Sequence, residues 1–495
     1  MKALLETCVT PKYMNNTVLS TFDHDYTVYD IVRETGRYLE LLGGFPSLGG
    51  QRVLLLIPHI VSFASALFAV NKLGGIVVPM GVHYRQDDFT AVLHAVKPHM
   101  VFTVTEHNGT PFAQFVRAWQ QQNGIQCTVF ESKDGLEWER REFSGIPAPR
   151  EEMEPSFIFF TSGSTGMPKG IVVGPETFVR HCEMYRKIKN ITSTDRLLNI
   201  PPVTGPLGFT GLLTAIREGF RLAVPDVFDF PRMARLMKRA GCNKILSTPS
   251  ILKALYTMTR HLEPEAFQHL EECYLAGEMI PEGFASEFPL LHHAKLIGVY
   301  GLSEIGFLMT ADLRGKPEWE VHRDVQVKLA SEEEGANELL AKSPALFQGY
   351  YNQPEITREV MTEDGWFRTG DLAQVTANNN ISLVGRKKDL IKKGGAQVVP
   401  GEVEKVLTDH PEVVQAAVIG VSHPVFGEQV VAFVVTKSKV EASALYEHCM
   451  GRIARYKVPD HIELVQSLPL VSGKIDKVTL RNTFIKHMES QNRGE

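Results

Sequence analysis

The residues best suited to do chemistry lie at 157–170. There FIFFTSGSTGMPKG runs from an apolar strand into a loop of Ser, Thr and Gly, then reaches Pro168, Lys169 and Gly170. Glycines let backbone amides approach an anion closely, and hydroxyls and N–H groups donate to phosphate oxygens. Lys169 adds a compact positive charge. This is the make-up of a phosphate-binding loop. It is not a Walker A loop: counted from Gly163, that pattern needs Gly at 168 and Ser or Thr at 170, where the chain has Pro168 and Gly170. A flexible turn without a ligand is the bland alternative, and the whole string speaks against it. The cysteines, Cys8, Cys127, Cys182, Cys242, Cys273 and Cys449, show no CxxC and no metal-ligand spacing. Neither a disulfide framework nor a structural zinc site is expected from them.

Four further strings follow in order: Tyr300-Gly301-Leu302-Ser303-Glu304, GWFRTGDL at 365–372, GRKKDLIKKGGAQVVPGEVE at 385–404, and Ser472-Gly473-Lys474. Together with TSGSTGMPKG they resemble, motif by motif, the adenylate-forming superfamily of acyl-CoA synthetases, peptide-synthetase adenylation domains and beetle luciferases. The likeness runs from about residue 27 to 480 and is closest in kind to free-standing acyl- or aryl-CoA ligases. It implies that a carboxylate attacks the α-phosphorus of ATP, giving acyl-AMP and pyrophosphate, and that the acyl group then passes to CoA. Two anions must meet, so cations and a metal are needed.

By this resemblance Thr161, Ser162, Gly163, Ser164, Thr165, Gly166 and Lys169 hold the ATP phosphates, with Thr161 counted among the catalytic residues. Glu304 is the Mg²⁺ ligand, a hard carboxylate suited to that ion. Gly277, Glu278, Tyr300, Gly301 and Ser303 border the nucleotide. Asp371 takes the ribose hydroxyls, and Arg386 contacts ribose or phosphate. Lys474 carries the adenylation step by bridging the acid's carboxylate and ATP; Lys477 is its weaker competitor. Lys388 is the pivot on which a small domain swings between an adenylating and a thioester-forming pose. Lys392, Gly394, Gly395 and Gln397 belong to the thiol step.

The acid pocket is expected from Thr204, Gly205, Phe209, Thr248, Ala276, Gly301, Ile305 and Gly306. Many relatives in this superfamily carry an aromatic-His pair where this chain has Val203-Thr204. Peptide-synthetase domains place an Asp for an α-amino group there, and the chain has none at that place. An apolar acyl or aryl acid is therefore favoured. CoA is the expected acceptor; the alternative is loading of an acyl or polyketide-type group onto a phosphopantetheine carrier protein in secondary metabolism.

Elements must position these residues. Short apolar runs alternate with amphipathic segments: strands near 52–57, 76–80, 100–105, 157–161, 221–224, 244–247, 272–275 and 295–300, with helices near 231–240 and 249–260. That alternation predicts an α/β fold with largely parallel sheets. A strand-rich subdomain is expected around 335–341 and 381–384. After 384 the grammar changes to a basic, glycine-bearing stretch and then a unit of about a hundred residues. Its predicted elements are a helix at 400–408, strands at 413–420 and 429–436, a helix at 441–453 and a strand near 461–465. The expected organisation is a large N-terminal domain at 1–384, a hinge at 385–388 and a small mobile α+β domain at 389–495.

The 495 residues carry 52 basic and 57 acidic side chains, a formal net charge of −5. A nucleic-acid binder would show a basic excess. Hydrophobic residues at 43% and charged residues at 22% exclude a disordered chain. The most apolar stretch, 53–82, is broken by Pro58, His59, Asn71, Lys72, Gly74 and Gly75 and reads as strand, helix, strand. A membrane span is not expected. The N-terminus lacks the apolar core of a signal peptide. A cytoplasmic protein with reduced thiols is the expectation.

Overall fold

The computed structural model describes residues 4–154, 156–161, 169–278, 280, 283–315, 317–330, 337–376, 380–393, 396–471 and 474–492. The fold is mixed α/β, and the chain forms two compact units. The first comprises Met1–Lys316 and Ser343–Met361; the second comprises Pro317–Lys342 and Thr362–Glu495.

Two sheets organise the first unit. One runs, in spatial order, Gly349–Tyr350, Lys169–Val173, Phe157–Thr161, Ile76–Pro79, Arg52–Leu56, Met100–Val104, Cys127–Ser132 and Glu139–Phe143. The other includes, in order, Gly306–Asp312, Lys295–Leu302, Glu272–Ala276, Lys244–Ser247, Arg196–Asn199, Arg221–Ala223, Thr17–Ser20 and Asp25–Thr27. Its inner strands are parallel, as strands joined by crossover helices must be. The apolar stretch resolves into strands Arg52–Leu56 and Ile76–Pro79 around helix Ile60–Lys72, which is buried over nearly its whole length. Among the described residues no helix is long and apolar enough to cross a membrane. All six cysteines are free and buried.

Segment Ser343–Met361 returns to the first unit because it supplies an edge strand: Gly349 pairs with Val172 and Tyr350 with Ile171. A buried ion pair fixes the same edge. Arg52, 2% exposed, donates to the Val96 and Pro149 carbonyls and to Glu151 Oε1 at 2.6 Å, and Tyr351 donates to that same oxygen at 2.6 Å. A buried guanidinium is tolerable only when its donors are met in this way.

In the second unit, strands Gln326–Ala330, Asn337–Lys342, Phe367–Val375 and Ile381–Arg386 form an antiparallel sheet. A further sheet carries Ala396–Val398, Ile391–Lys393, Gly427–Thr436 and Val413–His423, with His461–Leu464 parallel to 427–436. Helix Pro400–Thr408 packs Val403 and Leu407 under it, beside Leu445 and Cys449 from helix Ala442–Met450. The sheet of 326–342 and 367–386 thus groups with the C-terminal elements; the boundary expected from the sequence is the hinge at 385–388.

Candidate active site

The hydroxyl-rich loop is the connection of a β-hairpin. Strand Phe157–Thr161 runs antiparallel to Lys169–Val173, and Thr161 faces Lys169 in the last pair before the loop. Ser162, Gly163, Ser164, Thr165 and Gly166 lie outside the described residues, as does the Thr161 side chain. Tyr84 donates from its hydroxyl to the Phe160 carbonyl at 3.1 Å, bracing the strand end.

Glu304 sits in the tight turn between Lys295–Leu302 and Gly306–Asp312. Two glycines make that turn possible. A Cβ on Gly301 would lie 2.3 Å from the Gly306 carbonyl oxygen, and Gly306 has φ +74° with Ala345 and His181 close behind it. His181 is fully buried, and its Nε2 lies 2.8 Å from the Ala345 oxygen. Burial pushes the imidazole down to about 4, so it is neutral and donates there. The Ser343–Tyr350 stretch is thereby pressed against the Glu304 turn. The Phe347 amide donates to the Glu304 carbonyl at 2.7 Å, and the Tyr350 hydroxyl donates to Glu304 Oε1 at 2.8 Å. Lys169 Nζ lies 5.2 Å from the centroid of the Tyr350 ring. Glu304 and Lys169, proposed from separate motifs, therefore meet on one tyrosine that sequence reasoning did not single out. Burial, and then the facing carboxylate, push the Tyr350 phenol up, which keeps it a donor.

Beside this turn the carboxyl ends of adjacent strands carry the other first-unit residues. Ala276 pairs with Val299, one residue before Tyr300. Gly277 has φ +88°, with Thr248 the nearest side chain to where its Cβ would be. Thr248 caps helix Pro249–Thr259, its hydroxyl accepting from the Ile251 amide. Glu278 accepts from the Ser250 amide at 3.0 Å and the Ser250 hydroxyl at 2.6 Å, so its carboxylate is already engaged. The ends of parallel strands are where ligands bind in open α/β sheets.

Gly205 caps helix Pro206–Glu218. Thr204 Oγ1 and the His83 ring both crowd the point where a Cβ on Gly81 would sit, at 3.0 and 2.4 Å. His83 was not anticipated at this position. Phe209 turns the other way. It has no exposed surface, and its ring packs against Phe63, Phe157, Phe159 and Phe178 with centroids 4.8–6.3 Å apart. Ile305 is likewise fully buried.

In the second unit Asp371 and Arg386 are Cα partners on neighbouring strands, with Arg386 Nε 2.9 Å from Asp371 Oδ1. The Asp371 amide donates to Thr369 Oγ1, which itself donates to the Leu339 carbonyl. Glu338, 2% exposed and also unanticipated, accepts from Arg368, Lys387 and the Gly370 amide. Lys388 is exposed in a short 3-10 turn, Lys387–Asp389. Lys392 and Gln397 face each other across the hairpin whose tip, Gly394 and Gly395, lies outside the described residues. The backbone of Lys474 pairs with Val471, while its side chain lies outside the described residues. Lys477 is committed elsewhere: it donates to Glu404 at 2.8 Å and to the Val418 carbonyl at 3.1 Å.

Residues 25–351 match the family model for the AMP-binding enzyme, and residues 402–474 match that for the AMP-binding enzyme C-terminal domain. The chain is 27% identical to the medium-chain fatty-acid–CoA ligase of Escherichia coli, over 89% of this chain and 82% of that protein. It is 26% identical to 4-chlorobenzoate–CoA ligase of an Arthrobacter species, over 94% and 92%. ATP-bound MatB from Rhodopseudomonas palustris has the same fold, with a TM-score of 0.83 over 97% of this chain and 98% of that one at 22% identity. The family match covers two-thirds of the chain, including the hairpin strand that begins at Lys169 and the turn that carries Glu304: this protein belongs to the AMP-binding enzyme family.

Proposed function

We propose that this protein is an AMP-forming acid–thiol ligase. It activates a carboxylic acid with ATP to an acyl-adenylate, releasing pyrophosphate, and transfers the acyl group to the thiol of CoA. The observation that carries the reading is the convergence of Glu304 and Lys169 on Tyr350, where strand Lys169–Val173 begins. A carboxylate and an ammonium held there suit a nucleotide triphosphate with its metal.

Glu304 fits Mg²⁺. It is a hard oxygen ligand, and one carboxylate oxygen is held by Tyr350. Among the described residues no cluster of three or more acidic, His or Cys side chains could cage a metal. Mg²⁺ is commonly held by one or two carboxylates and substrate phosphates. When bound, it would offset charge on the phosphate oxygens. Thr161 and loop residues 162–166 donate to phosphates, Asp371 takes the ribose and Arg386 contacts ribose or phosphate. Lys474 neutralises the meeting of the acid's carboxylate with the α-phosphate. Lys388, in a hinge at 385–388, lets a C-terminal domain at 389–495 change pose for the thiol step.

The acid is an apolar acyl or aryl acid whose pocket draws on Thr204 and Gly205, with Thr248, Ala276 and Gly301. The names of the fatty-acid and chlorobenzoate relatives agree with that class. Six free buried thiols suit the reducing cytoplasm. The test is ATP–pyrophosphate exchange over a panel of fatty, aryl and β-keto acids, followed by trapping with CoA and with carrier proteins. Exchange with an apolar acid and a CoA thioester product is the expected result. No exchange with any acid overturns the reading, and trapping only on a carrier protein replaces CoA as acceptor.

A further inference from the structure

We propose that Tyr350 is a positioning residue that keeps Glu304 and Lys169 apart and open to a metal–ATP complex. This rests on the function proposed above. A carboxylate and an ammonium sharing one partly desolvated site attract each other strongly. Left alone they would close into an ion pair and mask both groups. Among the described residues no ion pair joins them; both instead contact one tyrosine, Glu304 at its hydroxyl and Lys169 at its ring. Its hydroxyl takes one oxygen of Glu304, leaving the other oxygen for a ligand. Its ring takes the Lys169 ammonium, an interaction that gains strength away from water.

Tyr350 is built to hold that place. It is 8% exposed. Its amide donates to Thr357 Oγ1 at 2.8 Å, and its short strand is hydrogen-bonded to the strand that begins with Lys169. Phe347 packs edge-on to its ring at 5.0 Å, while the Phe347 amide holds the Glu304 carbonyl. One rigid segment thus sets the backbone and the side chain of Glu304 together. The tyrosine and the glutamate are 46 residues apart and come from different sheets, so only the folded chain brings them within bonding distance.

The test uses the full-length protein with Mn²⁺ as the probe, its ATP-dependent uptake followed by electron paramagnetic resonance. Tyr350→Phe keeps the ring and loses the hydroxyl. Losing a partner that orients a metal ligand commonly weakens metal affinity by about 10–100-fold. Roughly tenfold weaker Mn²⁺ uptake is expected here, with the KM for the acid unchanged. Tyr350→Leu removes the ring as well and should add a rise in KM for ATP. Mn²⁺ uptake by Tyr350→Phe equal to that of wild type overturns the proposal. So does an equal loss in acid KM, ATP KM and Mn²⁺ uptake, which a merely structural role would produce. If the wild-type protein takes up no Mn²⁺ with ATP, the function proposed above fails, and this inference with it. Normal wild-type uptake with an indifferent Tyr350→Phe sinks this inference alone.

Discussion

Two regions of the molecule hold an acid and a cation in opposite ways. In the first unit Glu304 and Lys169 face a tyrosine and not each other. In the second, Asp371 and Arg386 face each other at 2.9 Å. Register explains the second case. Residues opposed on antiparallel strands place their side chains on one face, about 4.5–5.5 Å apart at Cβ, so a direct pair forms without help. Glu304 and Lys169 lie on different sheets, and what meets them is set by the segment packed between. A pair imposed by register is neutral at rest and has to be opened by a ligand. A pair kept apart is ready for one.

The harshest way to break this comparison is to separate the two half-reactions. Lys474→Ala should slow adenylation by about 10²–10³, the usual cost of losing a preorganised charge contact at a transition state. Thioester formation from preformed acyl-AMP should survive. Lys388→Pro should do the reverse, because proline fixes φ near about −65° and hinders one pose. Single-turnover assays of each step check both variants. Equal loss in both steps from two folded variants would discard the two-pose reading.

Opening the second unit's pair comes next. Arg386→Ala should raise the KM for ATP about tenfold, roughly the loss of one charged hydrogen bond of about 1.5 kcal/mol. It leaves Asp371 nearly buried without that guanidinium, so the melting temperature should also fall. Initial rates against ATP and a thermal melt measure the two effects; an unchanged ATP KM would remove Arg386 from the nucleotide site. A comparable effect on the acid alone is expected from Thr204→Phe, which crowds Gly81 and His83. kcat/KM for the preferred acid should drop several-fold, about 1 kcal/mol of lost fit, while the KM for ATP holds. Unchanged acid kinetics would place Thr204 outside the pocket.

The smallest effect concerns a cation with neither a carboxylate nor a spacer. Lys189 is fully buried, with its amine 4.4, 4.8 and 4.6 Å from the ring centroids of Tyr185, Tyr274 and Phe307. Among the described residues the amine has no hydrogen-bond acceptor. Its neighbour Lys244 is also buried but pairs with Glu272 at 3.0 Å and Asp195 at 3.4 Å. Burial, and then the nearby Lys244, push the Lys189 ammonium down to about 7. The unfolded chain therefore binds more protons between that value and the ordinary 10.5. Stability from this group rises with pH across that window, and the full penalty applies below it. The ring faces favour the charged form and reduce that penalty. Lys189→Met should raise the melting temperature by less than about 1 °C at pH 6, a fraction of a kcal/mol for a chain of this size. The gain should fade toward pH 10. Melting curves across this range check it, and a gain independent of pH would mean that the amine keeps its proton in the folded chain across the whole range.

Much of the scaffold was legible because its signal is local. The run 53–82 reads as strand, helix and strand from apolar runs and glycine breaks, and helix Pro400–Thr408 from its own periodicity. Strand Glu139–Phe143 was missed because ERREF sits at a sheet edge with four of its five residues exposed, so it shows no burial pattern. The grouping of 317–342 with the later elements was also hidden, since long-range pairing decides it: Asn337–Lys342 is hydrogen-bonded to Phe367–Val375.

By itself the sequence singled out the side chains proposed here for chemistry with phosphate: the hydroxyls and lysine of 161–169, the turn glutamate at 304, the aspartate at 371 and the lysine at 474. Those assignments rest on residue types in tight strings, where neighbours along the chain set the backbone geometry. Tertiary structure alone decided which of them meet. It brought both Glu304 and Lys169 to Tyr350, paired Asp371 with Arg386, gave Lys477 to Glu404 and turned Phe209 into an aromatic core. The reason is physical: a charged or aromatic side chain is satisfied by whatever sheet register and packing bring within a few ångströms, and no spacing along the chain records that distance.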